Sequence, residues 1–287
     1  MENNEKIKEQ VRETYTEIAL QERSVNASSC CGATSCCGAG DSLMAEDYSQ
    51  LKGYNPDADL GLGCGLPTQF AKIEKGDVVI DLGSGAGNDC FVARAETGEE
   101  GKVIGIDMTG AMISKARANA EKLGFHNVEF RLGEIENLPV SSSEANVIVS
   151  NCVLNLVPDK EKAFAEIYRV LKPGGHFSIS DIVLDGTFPD KILNAAEMYA
   201  GCVSGAIQKS TYLNIIADSG FENMVLQKEK LITVPNDILA EYLSAEEIAT
   251  YQKSGTGIYS ITVYAEKKKT RPEKNEAACC DKTVCCQ

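Results

Sequence analysis

The sequence predicts an α/β protein with a mostly parallel sheet, helices on both faces of that sheet, and a smaller C-terminal α+β unit. Short apolar runs alternate with helical stretches between residues 78 and 182, and this alternation is typical of parallel strands joined by crossover helices. A glycine-rich turn follows the first apolar run, as it does in folds that bind ligands at strand ends. Beyond about residue 185 the order of strands and helices changes.

The chain begins with a predicted amphipathic helix over residues 3–23. Ile7, Val11, Tyr15 and Ile18 recur at helical spacing with charged residues between them. We expect this apolar stripe to pack against the core rather than to carry function. Residues 24–42 are small and polar and include four cysteines, which predicts a loop with no core of its own.

Five strands are expected in the parallel sheet, namely Val78–Leu82, Lys102–Asp107, Val128–Leu132, Ala145–Ser150 and His176–Ile182. The helices between them include one that begins near Asn88, Met112–Leu123 and Asp159–Leu171. The sequence LKPGG ends the last of these, because Pro and Gly follow its final apolar turn.

The C-terminal unit is expected to contain helices Ile192–Tyr199, Thr211–Asp218 and Asp237–Thr250, and strands Met224–Leu231 and Ile258–Ala265. From Lys267 the tail is charged and lacks apolar periodicity, which predicts disorder.

Composition excludes some classes of function. Against 28 Lys and Arg the chain has 42 Asp and Glu, a net charge of −14, which disfavours a nucleic-acid partner. No stretch approaches the roughly 20 apolar residues of a membrane span, and the first residues lack a signal-peptide core. We therefore expect a cytoplasmic protein with no membrane partner.

Cysteine usage is unusual. Twelve cysteines are present, and eight of them form vicinal pairs with matched spacing at the two ends of the chain. A long chain with a sizeable core does not need a disulfide framework. In the cytosol such cysteines point to metal or redox chemistry.

The glycine-rich turn predicts a nucleotide-like ligand. The run from Asp81 to Gly87 reads DLGSGAG, and a tight turn at a strand end lets the backbone approach a ligand beside a helix N-terminus. Asp107 closes the second strand, where a carboxylate can accept hydrogen bonds from both ribose hydroxyls. That arrangement disfavours a nucleotide whose ribose carries a 2′-phosphate.

The glycine spacing distinguishes among nucleotides. The dinucleotide fingerprint needs its third glycine where this chain has Asn88, so the spacing fits S-adenosylmethionine better. Asp81 can reach the positive amino end of that ligand. Glu134 lies where a carboxylate can accept from the adenine amino group, beside an apolar contact from Ile135.

These residues lie in motifs that resemble the Rossmann-like core of the class I S-adenosylmethionine-dependent methyltransferases. The motifs are VVIDLGSGAG, VIGIDMT, GEIENLPV, ANVIVSNCVLNLV and EIYRVLKPGG, over roughly residues 70–185. The cofactor residues expected on this basis are Asp81, Gly83, Ser84, Gly85, Gly87, Asp107, Met108, Glu134, Ile135 and Asn151. We expect no obligatory metal cofactor.

The methyl acceptor is indicated by cysteines near the strand ends. Cys152 follows the fourth strand, Cys64 lies in the glycine-rich segment ADLGLGCGLP, and Cys202 lies in AGCVSGA. With two histidines in the chain a catalytic base is scarce, and an acceptor with a free lone pair needs none. Three thiolates suit trivalent arsenic, which is thiophilic. By contrast, Cys90 is expected to be a packing residue inside a helix.

The same cysteine segments carry a narrower resemblance. DLGLGCGLP, GNDCFVA, SNCVLNLV and YAGCVSGA are similar to the arsenite methyltransferases over most of residues 43–265. The resemblance implies that Cys152 and Cys202 bind As(III), that Cys64 is the third thiol, and that an N-terminal cysteine exchanges disulfides with Cys64. Of four candidates for that cysteine we favour Cys36 or Cys37.

The expected reaction methylates arsenite, or its glutathione conjugate, to mono- and dimethylated arsenicals as a detoxification, with thioredoxin or glutathione as reductant. The predicted divisions are an N-terminal helix with a Cys-rich loop (1–42), a cofactor-binding methyltransferase domain (43–185), an arsenic-binding α+β domain (186–266) and a Cys-rich tail (267–287).

Two alternatives stay open at this point. A quinone-type or other small-molecule C-methyltransferase would keep its turnover without the three single cysteines. A thiol-based metalloid-binding protein would bind As(III) or Zn(II) with no dependence on a cofactor.

Overall fold

The computed structural model describes residues 2–21, 46–188, 191–193, 203 and 205–269. Its helices are α1 (Glu2–Leu20), α2 (Pro67–Phe70), α3 (Asn88–Thr97), α4 (Gly110–Leu123), α5 (Lys160–Val170), α6 (Lys209–Asp218), α7 (Asn236–Tyr242) and α8 (Ala245–Lys253). Its strands are β1 (Val78–Leu82), β2 (Lys102–Asp107), β3 (Val128–Leu132), β4 (Ala145–Asn151), β5 (Leu171–Asp185), β6 (Phe221–Ile232) and β7 (Gly257–Lys267).

The strands form one seven-stranded sheet in the order β3-β2-β1-β4-β5-β7-β6. The first five strands pair in parallel, whereas β7 runs antiparallel between β5 and β6. The α/β prediction of a mostly parallel sheet is therefore confirmed. The strand order reverses between β1 and β4, which is where such folds bind ligands.

Both faces of the sheet are buried at its central strands. On β1, Val79 packs into the cluster on one face with Phe91, while Ile80 packs into the cluster on the other face with Phe164. Successive strand residues point to opposite faces, so the uninterrupted apolar runs of the parallel strands follow from having helices on both sides.

The five parallel strands occur where the sequence predicts them, and β5 is longer than expected. It begins at Leu171 because the LKPGG segment joins the sheet through an irregularity in its pairing with β4. At the start of α5, the Asp159 side chain accepts from the Lys162 backbone N–H at 2.9 Å, which caps the helix.

The predicted helix Asp237–Thr250 is wrong as a single element, because it is divided into α7 and α8. Helix α7 ends at Tyr242 with Leu243 as its C-cap. Ser244 begins α8 with a capping box, in which its side chain accepts from the Glu247 backbone and the Glu247 side chain accepts from the Ser244 backbone. Of the predicted helix Ile192–Tyr199, residues 191–193 are helical and the rest lies outside the described residues.

The two C-terminal strands pair with the edge of the main sheet, so the C-terminal α+β segment shares a sheet with the core. The division of the chain into domains stays a prediction. None of the described helices is long and apolar enough to cross a membrane.

Candidate active site

A pocket opens at the carboxyl ends of β1, β2 and β4, where the strand order reverses. The expected cofactor residues that line this cofactor pocket are Asp81, Gly83, Ser84, Gly85, Asp107, Met108, Glu134, Ile135 and Asn151. Strand ends at a reversal point are the usual ligand site of open α/β sheets. The fold therefore brings together residues that are distant in the sequence.

Two glycines of the turn after β1 have different surroundings. Gly85 has a φ of 50°, and a Cβ built there would meet nothing within 4 Å, so this backbone faces open space. Gly87 has a φ of 102°, and a Cβ there would lie 2.9 Å from ring atoms of Phe91 and Phe130. Gly87 does not line the pocket, and the structure assigns it to the turn and its packing against α3.

Three carboxyl groups line the pocket, of which that of Asp81 is buried and those of Asp89 and Asp107 are half-buried. Burial raises the pKa of each group, and repulsion from Asp89 adds to the rise at Asp81. The pKa of Asp89 reaches about 6, although hydrogen bonds from Tyr48 and Asn151 oppose the effect of burial. A positively charged ligand would favour the ionised forms and so suits this pocket.

Asp107 fixes the glycine turn to the end of β2. Its Oδ2 accepts from the Gly85 N–H at 3.0 Å, and its Oδ1 accepts from the Thr109 N–H at 2.8 Å. A carboxylate has about four lone-pair positions, so it can accept further hydrogen bonds from a ribose in the pocket.

Helix α1 closes the side of the pocket next to the third strand. Lys8 lines the pocket, and its Nζ lies 2.8 Å from Glu134 Oε2 and 3.1 Å from Glu136 Oε1. Val11 and Tyr15 of the same helix also line the pocket. The apolar stripe of α1 therefore packs as expected except at Ile7, which is exposed. Part of what the stripe covers is the cofactor pocket.

Two buried polar atoms on the pocket have no hydrogen-bond partner among the described residues. They are Ser84 Oγ, in the glycine turn, and Asn88 Oδ1, at the start of α3. Buried polar atoms are almost always paired. These two atoms, the open face at Gly85 and the carboxyl groups fit a ligand that has both polar groups and positive charge. S-adenosylmethionine has both.

Cys152 lies at the edge of this pocket, directly after β4. The residue is 3% exposed, and its φ is 62°. A left-handed backbone is uncommon for a residue other than glycine and marks strain that clusters at functional sites. Its N–H donates to the Ser180 carbonyl at 2.7 Å, which fixes this conformation against β5.

Cys64 lies in a buried loop beside Cys152, and both residues belong to one apolar cluster. The Cys64 N–H donates to Asn151 Oδ1 at 3.0 Å, and its carbonyl accepts from Ser260 Oγ at 2.6 Å. The residue is 1% exposed. Two of the three predicted arsenic ligands therefore converge at the end of β4.

The other predicted thiol ligand, Cys202, and the predicted redox cysteines Cys36 and Cys37 lie outside the described residues. Cys90 is fully buried, as expected for a packing residue. Its Sγ also donates to Asp81 Oδ2 at 3.2 Å, a contact with the pocket that the sequence did not predict.

The polar residues of the pocket that sequence reasoning missed include Lys8, Tyr48, Asn88 and Asp89. A signal existed for Asp89, because an acidic residue in the first turn of α3 lies beside the ligand that the glycine turn binds. Lys8 and Tyr48 come from segments distant from the motifs, and only tertiary packing brings them to the pocket.

Residues 73–220 match a family model described as a methyltransferase domain. Among individual relatives, an arsenite methyltransferase of Halobacterium salinarum is 42% identical over 276 residues, which are 92% of this chain and 67% of the relative. An arsenite methyltransferase of Aquipseudomonas alcaligenes is 33% identical over 85% of this chain and 71% of its own length.

A solved structure is also similar. The arsenic(III) S-adenosylmethionine methyltransferase from Chlamydomonas reinhardtii superposes with a TM-score of 0.60 at 33% identity, covering 74% of this chain and 69% of that chain.

Proposed function

Because the chain belongs to the arsenite methyltransferases, we infer that it transfers the methyl group of S-adenosylmethionine to trivalent arsenic. The observation that carries this conclusion is the position of two buried thiols, Cys64 and Cys152, next to a pocket rich in carboxyl groups. We propose that the products are mono- and dimethylated arsenicals and that the reaction serves arsenic detoxification.

The residues of the pocket fit the cofactor. Asp81 and Asp89 would hold its cationic end, Asp107 its ribose, and Glu134 the adenine amino group beside Ile135. When bound, S-adenosylmethionine supplies an electrophilic methyl group, which the arsenic lone pair takes up with S-adenosylhomocysteine as the leaving group.

The thiols would hold the substrate. We propose that arsenite, or its glutathione conjugate, transfers to Cys64, Cys152 and Cys202, because three sulfur ligands leave the arsenic lone pair free. No catalytic base is needed for such an acceptor. Of the two histidines, His176 bonds the Ala71 carbonyl at 2.6 Å and His126 is exposed, and neither lines the pocket.

Methyl transfer leaves arsenic pentavalent, so two electrons are required to restore the trivalent state. We propose that Cys64 and either Cys36 or Cys37 supply them by forming a disulfide, which thioredoxin or glutathione then reduces. These reductants keep thiols reduced in the cytoplasm, where we place the enzyme.

The test is incubation of the protein with arsenite, a thiol and cofactor labelled in its methyl group, followed by separation of the arsenic species. We expect labelled methylarsenic from the wild type and a loss of more than about 100-fold in Cys152→Ser, because the serine hydroxyl does not bind As(III) as a thiolate does.

The matched control replaces Cys279, Cys280, Cys285 and Cys286 with serine, and we expect it to retain turnover. Wild type that yields no labelled methylarsenic would contradict the proposed function. Undiminished methylarsenic from Cys152→Ser would contradict the thiol site but not the methylation of arsenic.

A further inference from the structure

Asn151, the last residue of β4, is bonded to the loop that carries Cys64. Its Oδ1 accepts from the N–H of Cys64 at 3.0 Å and from the N–H of Gly65 at 3.2 Å. Its Nδ2 donates to the Gly65 carbonyl at 2.8 Å. One side-chain amide thus binds the backbone on both sides of the Cys64 carbonyl, and the next residue in the chain is Cys152.

The loop is packed too tightly to move independently of this amide. A Cβ on Gly63 would lie 2.5 Å from Asn151 Nδ2, and a Cβ on Gly65 would lie 2.4 Å from Ser180 Oγ. Both glycines therefore permit contact between the loop backbone and the strand ends. On its far side the loop is held by the hydrogen bond from Ser260 to the Cys64 carbonyl.

The same amide faces the cofactor pocket. Asn151 Nδ2 also donates to Asp89 Oδ2 at 3.3 Å and to the Tyr48 hydroxyl. The Tyr48 hydroxyl lies 2.9 Å from both carboxyl oxygens of Asp89 and 3.2 Å from the Gly65 carbonyl. Asp89, Tyr48 and Asn151 all line the pocket.

We propose that Asn151 is a positioning residue that fixes Cys64 beside Cys152 and, through Tyr48 and Asp89, makes the affinity for arsenic depend on occupancy of the cofactor pocket. This inference rests on the proposed function, because it deepens the role of the same two thiols.

The direction of the coupling follows from charge. The cofactor and its product both carry a cationic amino group, which favours the ionised form of Asp89. An ionised carboxylate is the stronger acceptor for the Tyr48 hydroxyl and the Asn151 amide. The Cys64 loop is then held more firmly, so a ligand in the cofactor pocket strengthens the binding of arsenic. By linkage, arsenic strengthens cofactor binding by the same factor.

The experiment measures arsenite binding by equilibrium dialysis at about pH 5, where Asp89 is mostly protonated in the empty pocket. Binding is measured with and without saturating S-adenosylhomocysteine, which permits no turnover. All proteins carry serine at the eight terminal cysteines, so that arsenite binds through the single cysteines. We expect S-adenosylhomocysteine to raise the arsenite affinity about fivefold or more in the protein with wild-type Asn151.

Two variants separate the two parts of the proposal. Asn151→Ala should lower the arsenite affinity about tenfold without S-adenosylhomocysteine and abolish the response to it, because Cys64 loses its link to β4. Tyr48→Phe keeps the ring and the Asn151 amide but removes the hydroxyl that contacts Asp89. The ratio of its arsenite affinities with and without S-adenosylhomocysteine should therefore fall towards one. Tyr168→Phe is the matched control, because its ring packs on Phe221, away from the pocket.

Three results would overturn the inference: no response to S-adenosylhomocysteine in the parent, an unchanged affinity in Asn151→Ala, or an unchanged response in Tyr48→Phe. The Tyr48→Phe result decides the coupling even if Asn151→Ala does not fold. A parent protein that binds no arsenite would instead contradict the thiol site of the proposed function.

Discussion

Asp89 shows how one buried side chain sets the chemistry of the pocket. The residue is half-buried, its carboxyl group lines the same pocket as those of Asp81 and Asp107, and its pKa reaches about 6 chiefly because burial disfavours the charged form. The binding of a cationic ligand requires the ionised form. The protonation state of Asp89 therefore governs how strongly the pocket attracts the cofactor.

We predict that the affinity for S-adenosylmethionine increases as the pH rises to about 6, because Asp89 ionises over that range. Below that pH, each unit by which the pH falls should weaken binding about tenfold, because Asp89 must lose one proton when the cofactor binds. Asp89→Asn should bind about tenfold more weakly at pH 8 and show a flatter profile. Titration calorimetry between pH 5 and 8 measures both effects.

Thermal unfolding of the cofactor-free protein tests the raised pKa of Asp89 without any ligand. A raised carboxyl pKa in the folded state means that the contribution of Asp89 to the free energy of unfolding falls as the pH rises through about 6. Asp89→Asn should remove this loss, whereas Asp57→Asn, at an exposed position, should not. The role of Asp89 would be contradicted if the wild type, Asp89→Asn and Asp57→Asn showed the same pH profile of S-adenosylmethionine affinity.

The left-handed backbone at Cys152 gives a second prediction at this scale. Glycine adopts a φ of 62° without steric cost, whereas alanine does not, and the difference is about 1 kcal/mol. Cys152→Gly should therefore unfold at higher denaturant concentration than Cys152→Ala, while both lose methyl transfer. Equal stability of the two variants would show that the backbone at this position carries no strain.

At the scale of elements, helix α1 contributes the mostly buried Lys8 side chain to the cofactor pocket. The Lys8 side chain is 11% exposed and contacts Glu134 and Glu136. Because Glu134 is the residue expected at the adenine ring, the helix packs directly over the base of the cofactor.

We predict that Lys8→Gln increases hydrogen exchange along α1 and weakens cofactor binding severalfold, since loss of the lysine leaves Glu136 buried without its cation. Bound S-adenosylmethionine should slow the exchange in the wild type. Lys6→Gln, an exposed position on the same helix, is the control. Exchange along α1 that is the same in Lys8→Gln and in the wild type would show that the ion pairs do not hold the helix.

The accuracy of the sequence predictions differs among the elements for physical reasons. Strands β1 and β2 have the predicted bounds, because strands buried on both faces are mostly apolar runs between turns. The edge strand β3 also has the predicted bounds, and its sequence VEFRL alternates apolar and charged residues. The break between α7 and α8 was missed because an apolar pattern does not reveal a capping box. Lys8 reaches the pocket only because α1 packs against α4.

At the scale of the whole molecule, the site combines local motifs with contacts between distant segments. The glycine turn and Asp107 were predictable because each lies at the end of its own strand. The link from Cys64 to Asn151 and to Ser260 was not, because it joins a loop before the sheet to β4 and to the last strand. Such contacts depend on strand order, which local periodicity does not determine.

The hydrogen bond from Ser260 to Cys64 has a consequence for protein synthesis. These residues are 196 positions apart in the chain, and Ser260 belongs to β7, which is inserted between β5 and β6. A ribosome makes Cys64 and Cys152 long before it makes β7. The nascent chain therefore holds both thiols without the strand that bonds the Cys64 loop, and the arsenic site is completed only when the final strand enters the sheet.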